Sequence, residues 1–479
     1  MYRIPFALGC LLALLGSPSL LVGAEVDFAH DVVPILQKHC GKCHTGEKKE
    51  GAFSLNTHEQ FLKGGEGGPV AEAKKSMQSE LIRRMKSTDK NDQMPPEGPR
   101  VPADKIALLE KWIDEGMKWE AGFAFQKPAY EPPLKPRKVT LPAAVAGREN
   151  PVDRIVDAYL VSHNTPLPQT ASDSVFVRRV YLDLVGLLPT AEQSATFLAD
   201  KRPNKRDLLV EELLADNVAY ADHWLTFWND LLRNDYTGTG FITGGRKQIT
   251  TWLYDSLVNN KPYDQFVREL ISPTPDSEGF IQGIKWRGEV NSSQTLEIQF
   301  AQNISQAFLG INMKCASCHD SFVDRWKLDE AYGLAAIFAK EPLQIHRCDK
   351  PTGKMAKAAW IFPELGQVDA AAPQPERLKQ LAALMTHPEN GRLTRTVVNR
   401  LWHRLLGRGI VSPVDAMHTE PWNADLLDYL AADFAEHGYD LKHTLKLICT
   451  SQAYQAKRHR TRRSPLRAHS IMRAPRHAA

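Results

Sequence analysis

Two five-residue stretches concentrate the reactive side chains of this chain: Cys40-Gly41-Lys42-Cys43-His44 and Cys315-Ala316-Ser317-Cys318-His319. A Cys-x-x-Cys-His run suits covalent attachment of haem. Each thiol adds across one haem vinyl group, and the two-residue gap matches the separation of the vinyls. The His after the second Cys then lies under the iron as proximal ligand. With 7 Cys and 16 His in 479 residues, one such match arises by chance roughly 0.003 times, so two matches point to two haem c groups. Four Cys could instead hold zinc, but the pairs stand roughly 270 residues apart across a Pro-rich stretch. A redox dithiol expects a βαβ context that neither pair has.

Other residues could complete these sites. Met94, in Asn91-Asp92-Gln93-Met94-Pro95-Pro96, is a candidate sixth ligand for the first haem. A thioether favours Fe(II) and raises the potential, and the prolines stiffen the loop that presents it. Met77 and Met85 are rivals by position. Haem propionates need cations when buried. Arg325, six residues past His319, is placed to reach the edge of the second haem, with Trp326 packing beside it. The plainer reading makes Arg325 a surface partner of Asp324 or Asp329. Arg400 and His403 share a helical face and are further candidates to approach that haem. Cys348 and Cys449 are left over and either pair or stay as buried thiols.

The elements that must hold these residues read as mostly α. Residues 25–120 form a small helical domain: Phe28, Val32, Ile35 and Leu36 make a stripe running into Cys40, and Ile106, Leu109, Trp112 and Ile113 repeat at helical spacing before Gly116. Residues 121–150 form a linker, where Pro128, Pro132, Pro133, Pro136 and Pro142 forbid regular helix and favour an extended spacer. Residues 151–345 form a larger helical domain, whose stripe of Phe300, Ile304, Ala307, Phe308 and Ile311 runs into Cys315. Residues 346–456 form a partial C-terminal helical unit, with Val397, Leu401 and Leu405 on one face.

The two ends differ in character. Arg3, the apolar run Phe6 to Leu15 and Val22-Gly23-Ala24 make residues 1–24 an export signal. An uncleaved anchor and a lipoprotein reading through Cys10 are weaker alternatives. No other stretch approaches the length of a membrane span. The net charge is +4, yet residues 457–479 alone carry eight Lys and Arg and no acid, so the rest is slightly acidic. That tail reads as disordered rather than as a nucleic-acid or lipid-binding arm.

These residues resemble the planctomycete-type cytochrome c proteins. The first domain is similar to that family's cytochrome c module in Asp31-Val32-Val33-Pro34-Ile35-Leu36, Cys40 to His44, Met94-Pro95-Pro96 and Leu109 to Asp114. In that module the Met before the Pro pair is the distal ligand, which the resemblance carries to Met94. The middle domain is similar to a second conserved domain in Arg178 to Pro189, Lys261 to Phe266, Phe308-Leu309-Gly310, Cys315 to His319 and Asp324-Arg325-Trp326. Asn399 to His403 and Gly407 to Val411 resemble the start of the C-terminal domain. Two departures stand out. Where many relatives carry a second His after the second motif, this chain has Asp320-Ser321-Phe322, so the distal ligand of the second haem is open among His346, Met313 and Met355. The likeness also stops near Gln455, which suggests a truncated or frame-shifted end.

The resemblance and the motifs together imply an exported, periplasmic or otherwise extracytoplasmic di-haem c-type cytochrome that carries electrons. The alternatives are a haem oxidoreductase, with the first haem feeding a reactive second one, and a structural zinc-binding protein. The implied partner is a redox protein, in a setting the resemblance connects to complex carbohydrates; no nucleic acid and no membrane span beyond the leader are expected.

Overall fold

The computed structural model describes residues 26–46, 49–120, 123–125, 130, 132–234, 240–241, 249–286, 290–321 and 324–457. The expected export signal lies outside them, as does the basic tail beyond Lys457. Two compact units divide the chain, Met1–Lys127 and Pro128–Ala479. The fold is mostly α: the β structure among the described residues is two antiparallel two-stranded ribbons.

In the first unit a π-turn at Phe28–Val32 leads into α1 (Val33–His39), where Pro34 sits in the first turn and so removes no internal hydrogen bond. Then come α2 (Gly41–His44), α3 (His58–Lys63), α4 (Glu80–Lys86) and α5 (Ala103–Asp114). The stripe Ile106, Leu109, Trp112 and Ile113 is buried, as its spacing requires. Gly116 follows the helix at φ +102°, a reversal that suits glycine. Phe28 lies 5.9 Å from Trp112 and 4.4 Å from Trp119 between ring centroids, so aromatic side chains fill the core beside the first motif.

Among the described residues the second unit packs fourteen α-helices: α6 (Pro151–Ser162), α7 (Asp173–Leu184), α8 (Ala191–Ala199), α9 (Lys205–Ala215), α10 (Asn217–Leu231), α11 (Thr250–Val258), α12 (Tyr263–Ile271), α13 (Leu296–Leu309), α14 (Leu328–Phe338), α15 (Gln374–Met385), α16 (Gly391–Leu406), α17 (Ala424–Glu436), α18 (Leu441–Cys449) and α19 (Gln452–Gln455). One continuous core joins Val152 on α6 to Tyr454 on α19. The stretches 151–345 and 346–456, read from sequence as separate units, thus share one compact body. A hairpin of Gln344–Arg347 and Lys350–Met355 crosses the expected boundary.

Two further expectations change. The Pro-rich stretch is extended where described, but it is no free spacer. Its proline-rich backbone leaves carbonyls unpaired, and α16 takes them: Arg395 Nη1 donates to Pro133 O at 2.8 Å and Gly391 N to Leu134 O at 3.0 Å. Arg137 Nε adds a 2.6 Å pair with Asp428, which Arg395 also meets at 2.7 Å. Helix α13 also ends sooner than its stripe suggested. Gly310 adopts the left-handed conformation at φ +60°, and a Cβ there would stand 2.4 Å from Met417 Cγ. The chain leaves the helix at Gly310 and turns into the second motif.

Candidate functional site

The first motif is one helical turn. Cys43 N donates to Cys40 O at 3.2 Å and His44 N to the same oxygen at 3.1 Å. Residues 53–56 clamp its end: Leu55 N donates to His44 O at 2.8 Å, and Asn56 bonds both backbone groups of Gly46 at 2.7 and 2.8 Å. His44 Nδ1 lies 3.3 Å from Phe53 O. With Nδ1 donating there, Nε2 is the unprotonated nitrogen, the tautomer that metal coordination needs. Gly65 supports this arrangement, since a Cβ there would meet Gly51 O at 2.6 Å and Phe53 Cβ at 3.3 Å. Burial holds the His44 pKa below its ordinary value, which favours the neutral ring. Burial, then Cys43, pushes the Cys40 thiol up to about 12, so it stays in the S–H form that adds across a vinyl.

Met94 sits half-buried in a loop tied to α4. Its N–H donates to Arg84 O at 3.0 Å. Arg100 bridges the loop ends, donating to Met85 O at 2.7 Å and Met94 O at 3.3 Å. Arg83 pairs with Glu80 at 2.6 Å and Asp92 at 2.8 Å. The rivals are placed differently: Met77 is 90% exposed, and Met85 is core.

The second motif repeats the first turn. Cys318 N and His319 N both donate to Cys315 O, at 3.0 and 3.1 Å. His319 Nδ1 lies 2.8 Å from Asp320 O, again a backbone carbonyl. Gln302 on α13 donates to Ser317 Oγ at 3.0 Å, and Leu328 N at the start of α14 donates to Asp320 Oδ1 at 3.0 Å. Asp320, standing near the place of the second His of many relatives, therefore caps a helix. Cys348, in the hairpin turn, donates its N–H to Cys318 O at 3.1 Å. Cys449 is a free, fully buried thiol, so the two leftover Cys do not pair with each other.

The remaining candidates scatter. Arg325 lies over the ring of Trp326, 3.8 Å from its centroid, and 3.5 Å from Glu330, which takes the place of the expected Asp324 or Asp329. Trp326 is itself buried, against Phe362. Arg400 is committed elsewhere: it meets Asp415 at 2.7 Å and caps the end of α13 through the carbonyls of Gln306, at 2.6 Å, and Ala307. Its long side chain is consumed by the helix that delivers the motif. His403 lines a polar cavity of about 530 Å³ with Met313 and Lys314. His346 lines a cavity of about 590 Å³ with Tyr332, Ser292 and Asp349. Met355 is exposed.

The donor sets fit covalently held haem better than a chelated ion. Among the described residues, neither Cys-Cys-His set brings its sulfurs and a ring nitrogen together as a metal-chelating cluster would. Two thiols two residues apart on one turn are what two separated vinyls require. Phe53, Arg100 and Cys348 were not legible as site residues, because each acts through a backbone contact or on a carbonyl that no side-chain spacing announces.

Comparison with known families agrees. A family model described as Planctomycete cytochrome C matches residues 40–98, spanning the first motif and Met94. Two models described as proteins of unknown function match 151–342 and 377–477. The first unit is thus a haem c domain, with haem bound covalently. The three matches together place the chain in the planctomycete cytochrome c family. The third match runs past Gln455 into the basic stretch, further than the sequence reading carried the likeness. No curated protein and no solved structure matches the chain.

Proposed function

We propose that the chain carries two haem c groups and moves electrons outside the cytoplasm. The observation that carries this reading is the likeness of the two turns. Both motifs close on the first Cys carbonyl through the same pair of N–H groups, and both His rings set Nδ1 against a backbone carbonyl. Bound haem supplies a reversible one-electron centre. The chain's own residues do the rest: His44 and His319 offer the proximal nitrogens, and Phe53, 5.1 Å from the His44 ring, joins that ring to the aromatic core of Phe61 and Trp112. Met94 is the proposed distal ligand there, and Arg325 the proposed propionate partner at the second site. The leader at residues 1–24 supports export, and no described helix is long and apolar enough to cross a membrane.

The test is the haem count of protein matured with cytochrome c assembly machinery. After denaturation, mass and alkaline pyridine absorption should give two haems per chain. Cys43→Ala and Cys318→Ala should each lower the covalent content. A single haem that Cys318→Ala leaves intact would sink the di-haem reading. Carbon monoxide then separates carrier from oxidoreductase: a carrier keeps both reduced irons closed to it, whereas binding at the second site favours a reactive haem.

A further inference from the structure

Asp433, on the last turn of α17, has an unusual environment for a carboxylate. Its side chain is 11% exposed, yet among the described residues it forms no ion pair with Lys or Arg. Its carboxylate meets two imidazoles, His443 Nε2 at 2.9 Å and His437 Nδ1 at 3.3 Å, and the Tyr429 hydroxyl; His437 Nδ1 also lies 2.8 Å from the Asp433 backbone carbonyl. The two rings stack on each other, with centroids 3.8 Å apart and planes 14° apart. Tyr429, one turn earlier, has its phenol pushed up to about 12 by burial and then by Asp433 and Glu436. Asp433 and Glu436 make the neighbourhood acidic, and Arg154 is the cation that offsets them at Tyr429.

The three side chains are held by a rigid corner. Asp433 and His437 are four residues apart, on one face of α17. The chain then reverses through Gly438 and Tyr439, both at positive φ, and Tyr439 N donates to Phe434 O at 2.9 Å. Asp440 caps α18 by accepting from Lys442 N and His443 N at 2.8 and 3.1 Å. This delivers His443 beside Asp433. One carboxylate oxygen and one nitrogen from each ring lie within 4.8 Å of one another.

We infer that Asp433, His437 and His443 form a binding site for a divalent cation of the Zn²⁺ class. Two imidazoles and a carboxylate are the donors such ions prefer, at about 2.0–2.2 Å, with the outer position left to water. A small separation of the stacked rings brings the donors to that distance. His437 is 49% exposed, so an ion enters directly from solvent. The bound cation neutralises Asp433 and staples α17 to α18. The proposal is independent of the haem reading, because none of these residues belongs to either motif.

The experiment is calorimetric titration of Zn²⁺ into the haem-loaded full-length chain without a polyhistidine tag, with thermal unfolding in parallel. One saturable site and a Tm that rises with Zn²⁺ are expected, since a ligand that binds only the folded state stabilises it. His437→Ala and His443→Ala should each weaken binding by at least about tenfold, the loss seen even for outer partners of metal ligands. His437 is exposed, so its variant keeps the fold, which circular dichroism would verify. No binding by about 1 mM, or binding unchanged in His437→Ala, would overturn the site.

Discussion

Arg400, on α16, donates to the backbone carbonyl of Gln306 at 2.6 Å, in the last turn of α13. The contact spans two regions matched by different family models. It also reaches Ala307 O and is balanced by Asp415. A helix end leaves its last carbonyls unpaired, and here a buried guanidinium from another part of the chain satisfies them. The second motif follows nine residues after Gln306. Its position therefore depends on the C-terminal helices.

Replacing this cation tests that dependence. Arg400→Met leaves two buried carbonyls unpaired and strips Asp415 of its partner, which should cost about 3 kcal/mol. Covalent haem at Cys315 and Cys318 should fall, while haem at Cys40 and Cys43 stays. Denaturant unfolding and a haem stain of separated tryptic fragments would read both effects. Equal loss at both motifs would show that the coupling is not specific.

Met94→Ala should open the first iron to carbon monoxide and lower its potential, because a ligand favouring Fe(II) is lost. Met77→Ala should change nothing, since that side chain is 90% exposed. Met85→Ala should cost about 2–5 kcal/mol as a core truncation yet leave the spectrum alone. If Met85→Ala rather than Met94→Ala opens the iron, the distal assignment moves.

The loop that presents Met94 is tied by carboxylates, so acid should release it. Hydrogen bonding from Arg83 lowers the Glu80 pKa from 4.5 to about 2 despite some burial. A depressed carboxylate stabilises the folded loop above its unfolded pKa and loses that contribution as pH falls through the folded value. The anchor is thus complete above about pH 4.5 and gone near pH 2. The Met-ligated spectrum of the first haem should be intact above about pH 4.5 and fade as pH falls toward 2, and Glu80→Gln should move its acid midpoint upward. An unmoved midpoint would assign the acid transition to another group, such as His44.

What the sequence disclosed was local. The two motifs, the stripe Ile106 to Ile113 and the helices around Trp224 and Phe266 follow from spacing within one or two turns. Long-range hydrogen bonds were invisible. Arg395 reaches Pro133 O across 262 residues, and that bond turns the expected spacer into a strap on the second unit. Gly310 illustrates a middle case: a glycine at the end of an apolar stripe signals a stop, but the close approach of Met417 that requires it comes from far along the chain. Arg400 looked like a haem-facing cation because sequence shows its charge and helical face, not the carbonyls it caps.

Arg325 poses the sharpest remaining test at the second site. Its guanidinium lies over Trp326 and near Glu330, with its side chain 41% exposed. A propionate could share that fork, because guanidinium pairs carboxylates through two parallel N–H groups. A nearby cation stabilises the less positive Fe(II) state, so Arg325→Leu should lower the potential of the second haem and spare the first. Arg325→Lys keeps the charge and should recover most of the change, whereas a role confined to stacking on Trp326 would not be rescued. A tenfold shift in a one-electron equilibrium corresponds to about 59 mV. Redox titration with optical detection resolves less than that. A second-haem potential that stays within about 20 mV in Arg325→Leu would leave Arg325 with a surface role beside Trp326 and Glu330 and none at the haem.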